Sequence, residues 1–455
     1  MAETISPDYL VIGAGAMAMA FVDTLISDTK ATIAIVDRYS RPGGHWTIAY
    51  PYVTLHQPSN AYGVNSRLLG ERTIDQVGLN KGLAELATGD EICGYFGKFM
   101  HQTFLPSGRV AYYPLHEYVG EGEFRSITTS KVIRVQPNTR IVEATFMKVK
   151  VPAMGPPDFE VSDGVNLIAP NGLAKITRPY GGYTVVGAGK TGVDACLWLL
   201  GNRIDPKDIS WIMPRDSWFL NRVVFQPPWA RQRGMDGVAK AVMAASSPDD
   251  MFERFEASGD MLRIDTSVWP TMFRFAVISE AELEQMRRVK NILRKGRIIR
   301  LSTSEVTLEN GTYEPVPDML YIDCTADGSA KLQPVPIFNG REIKLQSVRL
   351  CQPVFSAAFI AHVESLYDDD EVKNAVCSVI PHAAVPKDFI SGILETCQNT
   401  LRWIGEPKTL TWLRNSRLDA LQSEDEPNPE KVMADLLMQT EGFCNKLQDL
   451  WDQTL

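Results

Sequence analysis

The chain has 455 residues, of which 44% are hydrophobic and 22% charged, and its formal net charge is −9. A chain this long buries roughly three quarters of its unfolded surface without a metal or disulfide staple, and it suits about two to three domains. The acidic balance, with no block of basic residues, argues against a nucleic-acid partner and against an anionic membrane surface. The cysteines at 93, 196, 324, 351, 377, 397 and 444 are odd in number and never form a Cys-x-x-Cys pair. That speaks against a zinc site or a disulfide framework and for a reducing, cytoplasmic compartment. No apolar run reaches the roughly 18 residues of a membrane span. Residues 1–8 lack a basic region followed by an apolar stretch, so no secretory signal is expected.

In chain order, residues 8–38 predict a strand, a glycine turn, a helix and a second buried strand ending at Asp37. Residues 39–72 are loop-rich. A helix is predicted at 90–104, capped by Asp90, with Ile92, Tyr95, Phe96, Phe99 and Met100 at helical spacing. Alternating patterns predict strands near 109–114, 125–136 and 140–149. The opening pattern then recurs as a strand over 183–186, a glycine turn, a helix over 192–200 and a strand over 209–213. Residues 236–298 predict mostly helix, 298–325 strands, and the chain from about 357 helix again. The amphipathic helix predicted over 430–453 suits packing or a homo-oligomer contact. Its acidic polar face does not suit a membrane anchor.

The first turn is Gly13-Ala-Gly15-Ala16-Met17-Ala18. Glycine permits the tight turn and lets a pyrophosphate approach the backbone N–H groups, while the helix N-terminus faces the anion. Asp37, followed by Arg38, stands at the end of the next strand, where an acid accepts ribose hydroxyls. This is a dinucleotide-binding pattern. The second turn, Gly187-Ala-Gly189-Lys190-Thr191-Gly192, has the same context, but Met213, Pro214 and Arg215 replace the acid, with Arg222 nearby. Arginine at that place favours a ribose 2′-phosphate, hence NADPH over NADH. The alternative is that Arg215 pairs with Asp216 on a solvated loop. Two such units imply two dinucleotides, and FAD with NADPH is the economical pair.

The loop Asp37-Arg-Tyr-Ser-Arg-Pro-Gly43-Gly44-His45-Trp46 resembles the acid-x5-Gly-Gly-x-Trp loop of the flavin-containing (class B) monooxygenase superfamily of two-dinucleotide-binding-domain flavoproteins. With the two turns, the resemblance covers roughly residues 8–330. It implies an α/β fold in four parts. These are an FAD domain of Rossmann-like, three-layer topology (1–175), an inserted NADPH-binding Rossmann domain (176–310), a return to the FAD domain (311–370, with re-entry at Tyr321 to Gly328) and a C-terminal helical region (371–455). The resemblance further implies FAD contacts from Gly13, Gly15, Ala16, Met17, Asp37, Arg38, Gly44 and Trp46. His45 and the segment from Leu55 to Asn60, with His56 and Ser59, would lie near the isoalloxazine ring, and Val132 would offer its backbone to the adenine. Asp327 would bond the ribityl chain or simply cap a turn. Gly187, Gly189, Lys190, Thr191 and Arg215 would hold NADPH.

The activity so implied is that of an FAD- and NADPH-dependent monooxygenase. NADPH reduces the flavin, and one oxygen atom from O2 enters a small organic molecule through a C4a-peroxyflavin. Asn60 and Asn65 are the candidates for the catalytic contacts at the flavin edge, against the reading that they form turns. The sequence also departs from that family. Residues 159–183 contain no histidine, where a Phe-x-Gly-x3-His fingerprint would stand, and Asp323-Cys-Thr-Ala-Asp327-Gly328 replaces an Ala-Thr-Gly segment. Two alternatives therefore stay open: a flavin reductase or dehydrogenase without oxygen insertion, and a non-catalytic dinucleotide-binding sensor. The histidines at 45, 56, 101, 116, 362 and 382 show no ligand spacing, so no metal site is expected.

Overall fold

The computed structural model describes residues 3–231, 236–326, 328, 330–419 and 429–454, of which 236 and 429–440 as backbone only. A first unit is built on five parallel strands in the order Val110–Pro114, Ile33–Asp37, Tyr9–Ile12, Arg140–Glu143 and Glu342–Lys344, with Phe338–Asn339 closing one edge antiparallel. Leu10, Val11 and Ile12, like Ile33 to Val36, are apolar at every position because both faces of this sheet are covered. Helices Ala16–Asp28 and Pro353–Leu366 cover one face, packed together through buried alanines that include Ala18, Ala357, Ala358 and Ala361. The other face carries a four-stranded sheet of Glu3–Ile5, Val132–Val135, Glu123–Ser126 and His116–Gly120, which lays Phe124, Ile133 and Val135 on Leu10, Ala34 and Val36. This is the three-layer arrangement expected of the first unit.

A second sheet has five parallel strands in the order Asn166–Ile168, Met319–Asp323, Gly182–Val186, Ile209–Ile212 and Asn291–Leu293. Helix Lys190–Gly201 packs on it. The small sheet of Glu160–Val161, Ile298–Leu301, Val306–Leu308 and Gly311–Tyr313 packs with it through Val186, Ile212 and Tyr321. Two expected boundaries are placed by the pairing. Met319–Asp323 pairs with Gly182–Val186, so the chain re-enters the first unit after Asp323, within the stretch Tyr321 to Gly328 expected for re-entry and not from 311. Glu160–Val161 and Asn166–Ile168 already pair within the second unit, which therefore begins before 176. Parallel pairing joins residues far apart in the chain, and no local pattern carries it. The two crossing segments are fastened to each other by Lys150 N–H to Gly328 O at 2.8 Å and Ala330 N–H to Met147 O at 3.0 Å.

The stretch 236–298 is less helical than its residues predict. Strands Met261–Leu262 and Met272–Ile278 separate helices Pro248–Ala257 and Glu280–Met286, and both strands pair with Ser217–Asn221. Helix Gly89–Phe99 is capped by Thr88, not Asp90, because Thr88 and Glu91 form a capping box. Among the C-terminal helices, Pro386–Ile404 reaches both units: Trp403 lies in the first unit's core, and Phe389 and Leu394 join Trp218 and Phe273. No described helix is long and apolar enough to cross a membrane.

Candidate functional site

A cavity of about 900 Å³ lies along the first glycine turn, within the usual range of ligand and cofactor sites. Its wall takes in Gly13, Gly15, Ala16 and Met17 of the turn, Asp37 and Arg38 at the strand end, Gly44, His45 and Trp46 of the next loop, and His56. Gly13 has a φ of +97°, and a Cβ there would lie 2.8 Å from Thr145 Cγ2. Gly44, at φ +58°, comes so close that its Cβ would stand 2.9 Å from Gly15 Cα. The Gly-Gly-His-Trp loop therefore lies directly on the turn, tied by Gly43 N–H to Ala14 O at 2.9 Å. Asp37 accepts from Ala14 N–H and, at 2.7 Å, from Tyr39 N–H. Burial pushes its carboxyl above the usual range against the pull of those two bonds. A carboxylate offers about four acceptor positions, so Asp37 pins the turn and keeps capacity for a ligand.

His45 and His56 both border the cavity, and desolvation keeps both rings neutral. It pulls His45 down to about 4 and His56 to about 3, the latter helped by the charges of Lys190 and Arg222. Gln57, of the segment expected beside the flavin ring, lies on the wall too, and further wall residues from distant segments carry no expectation from the sequence: Arg274, Phe275, Leu350, Cys351 and His382. Gln57 Nε2 donates to Cys351 Sγ at 3.7 Å, and burial pushes that thiol up to about 12. Arg274 and Phe275 sit on Met272–Ile278, where the alternation of Phe273, Phe275 and Val277 was the available signal. Leu350, Cys351 and His382 lie in loops that carried none.

Four expected residues do not line the cavity. Val132 lies two strands over from the wall, which His116, Glu117 and Tyr118 of the edge strand form instead. Ser59 is a buried peg, donating to Glu85 O at 2.9 Å and accepting from Ala87 N–H at 2.7 Å. The carbonyl of Asn60 accepts from Arg417 at 2.6 Å, and the side chain of Asn65 accepts from Ser416 at 2.9 Å. Arg417 also bonds the Tyr62 and Val64 carbonyls. The loop 59–65 is thus a buttress gripped by the C-terminal region, an arrangement local reasoning could not foresee. Asp327 lies outside the described residues.

At the second turn Gly187 has a φ of +113°, and its carbonyl accepts from Trp211 Nε1 at 2.8 Å. A Cβ on Gly189 would meet no atom within 4 Å, so the outer face of the turn is open to an approaching phosphate. Lys190 and Thr191 open the helix, and Lys190 pairs with Asp194, which accepts from Tyr50 OH of the first unit at 2.7 Å. Arg215 is half-buried just beyond Ile209–Ile212. The carboxylate of Asp216 is committed to Arg294 at 2.8 and 2.9 Å. Arg222 is no nucleotide ligand: fully buried, it donates to His56 O at 3.1 Å, Asn80 Oδ1 at 3.0 Å and Glu282 Oε2 at 2.7 Å.

No family model matches the chain. Over 425 residues, 92% of the chain, it is 49% identical to the uncharacterized proteins Rv2000 of Mycobacterium tuberculosis and Mb2023 of Mycobacterium bovis, and the match spans 79% of each. Among solved structures, a closed crystal structure of cyclohexanone monooxygenase superposes with a TM-score of 0.51 at 13% identity, over 99% of this chain and 98% of that one. The complex of OTEMO with FAD and NADP does so with 0.50 at 14% identity, over 79% and 85%. At these identities the likeness concerns the fold alone, which the chain shares with cyclohexanone monooxygenase and OTEMO.

Proposed function

We propose that this chain, which belongs to one family with the mycobacterial proteins Rv2000 and Mb2023, is an FAD- and NADPH-dependent oxidoreductase, a monooxygenase acting on a small organic molecule. The observation that carries the reading is the cavity, in which a glycine turn and Asp37 are continuous with wall residues from the second glycine-turn unit. The residues fit FAD. Gly13 makes the tight turn at positive φ and Gly15 puts no side chain at the start of helix Ala16–Asp28, where a pyrophosphate would be received, Asp37 keeps acceptor positions for ribose hydroxyls, and His45, Trp46 and His56 border the same space. The second turn fits NADPH, with Gly187 and Gly189 giving close approach, Lys190 and Thr191 at the helix start, and Arg215 at the place of the 2′-phosphate. The FAD and NADP held by the OTEMO structure support the pair.

Bound together, the two cofactors supply hydride and oxygen transfer. The chain's own part is to bind and orient them and to exclude water from the reacting edge, behind Phe275, Leu350, Pro353 and Ile380. Anaerobic mixing of the FAD-loaded protein with NADPH tests the reading. Bleaching of the oxidised-flavin absorbance is expected, followed in air by isotopically labelled oxygen from O2 in the product of an accepted substrate. No bleaching would leave a non-catalytic sensor. Bleaching whose only oxygen product is hydrogen peroxide, with every organic acceptor offered, would leave a reductase.

Arg215→Ala tests the cofactor preference. Losing a charge-assisted contact to the 2′-phosphate, it is expected to raise the KM for NADPH by about tenfold to a hundredfold while the KM for NADH hardly moves. An equal rise for both would remove Arg215 from that contact.

A further inference from the structure

The strand Met272–Ile278 carries an irregularity that bears on the cavity. Its register against Ser217–Asn221 matches Trp218 with Phe273 but Leu220 with Val277, so extra residues bulge between them. Phe275, in the bulge, has a left-handed φ of +55°. Bulges re-aim side chains beside functional sites, and this one places Arg274 and Phe275 on the cavity wall. The Val277 N–H donates to His56 Nδ1 at 3.1 Å, and its carbonyl accepts from Arg222 at 3.5 Å. Arg222 in turn donates to the His56 carbonyl at 3.1 Å. A residue of the first unit is thus held at both ring and backbone by the second.

An imidazole whose Nδ1 accepts a hydrogen bond carries its proton on Nε2. No bond from His56 Nε2 to any described residue accompanies the two that hold it, and His56 borders the cavity. His56 is bonded to the strand of Arg274 and Phe275, and its neighbour Gln57 touches Cys351. It therefore stands where residues distant from the glycine turn close the cavity, and not beside Asp37.

We propose that His56 presents one fixed N–H donor to the cavity, set by the Val277 backbone of the second unit, and that its acceptor is an atom of the flavin ring of bound FAD. The proposal rests on the FAD reading above. The charged groups facing the ring, Lys190 and Arg222, are both positive and, with burial, oppose its protonation. The donor accordingly stays a neutral N–H, and its direction depends on the second unit being in place.

Side-chain nitrogen NMR on isotope-labelled protein tests this, with His56 assigned by the signals lost in His56→Gln. Flavin-free protein is expected to show a protonated Nε2 and a bare Nδ1, unchanged between about pH 5.5 and 8. A proton on Nδ1, a mixture of tautomers, or titration near the ordinary value of about 6.5 would overturn the fixed donor. Added FAD is expected to slow exchange of the Nε2 proton with water severalfold. Unchanged exchange in a sample whose absorbance shows bound flavin would overturn the acceptor. A protein that binds no FAD fails the earlier reading and the acceptor with it, whereas the tautomer is read independently of either. His56→Gln, which keeps a donor near the Nε2 position, is expected to hold FAD within about twofold of wild type, and His56→Phe to bind it about fivefold to thirtyfold more weakly. Equal affinity of the two variants would overturn the donor's role.

Discussion

Gly15→Val yields a folded but colourless protein. Gly15 is the N-cap of helix Ala16–Asp28 with φ −78° and ψ −179°, an extended backbone that any residue adopts. Its Cβ would stand 3.6 Å from Gly44 Cα, an ordinary contact, so the fold has room for one carbon. The branching methyls of valine then extend into the space over the turn, where a pyrophosphate must reach the N–H groups. Flavin affinity is expected to fall by more than about a hundredfold, which corresponds to about 3 kcal/mol. Stability should change by no more than about 1 kcal/mol. Absorbance of the purified protein reads the first quantity, and denaturant unfolding followed by circular dichroism reads the second. A variant as yellow as wild type would remove this turn from the flavin site.

Arg222→Met is expected to cost about 3–5 kcal/mol of stability. The guanidinium is fully buried, with acceptors at His56 O, Asn80 Oδ1, Val277 O and Glu282 Oε2. Methionine fills part of the volume but leaves the buried Glu282 carboxylate without its cation, bonded to the Ser279 N–H at 2.6 Å. It also leaves three carbonyl-type oxygens without a donor, and each such loss is destabilising. Adding Glu282→Gln should restore part of the loss, because the unpaired charge is then gone. Denaturant midpoints of the single and double variants decide the matter. A single variant within about 1 kcal/mol of wild type would show that the buried Arg222 network contributes little to stability.

Arg222 also shows why part of the site could not be read from the chain. As a residue near the end of a nucleotide-binding strand it is a reasonable phosphate ligand. Its burial against Glu282 becomes visible only when residues 56, 80, 222, 277 and 282 are brought together. Asn60 and Asn65 failed for the same reason. They stand close in sequence to the flavin-side loop, but Arg417 and Ser416, from the far end of the chain, bond the Asn60 carbonyl and the Asn65 side chain, and neither residue lines the cavity as its neighbours Ala61 and Tyr62 do.

The elements legible in advance are those whose cause is local. Gly13 and Gly187 are required where the backbone turns at positive φ beside a helix start. Asp37 ends a strand whose every residue is buried, and unbroken apolar runs mark strands covered on both faces. Both glycine-turn units and their order in the chain follow from such short-range chemistry. Strand Met272–Ile278 was misread because its apolar residues suit a helix as well as a strand. Only pairing with Ser217–Asn221 decides between them. The start of the second unit before residue 176, the cavity wall at Arg274, Cys351 and His382, and the tautomer of His56 all depend on contacts between residues far apart in the chain or on different units. The sequence by itself determined the two glycine turns and the layers built around them. The tertiary structure alone decided which side chains meet at the cavity, because a side chain's partner is set by packing and not by its neighbours along the chain.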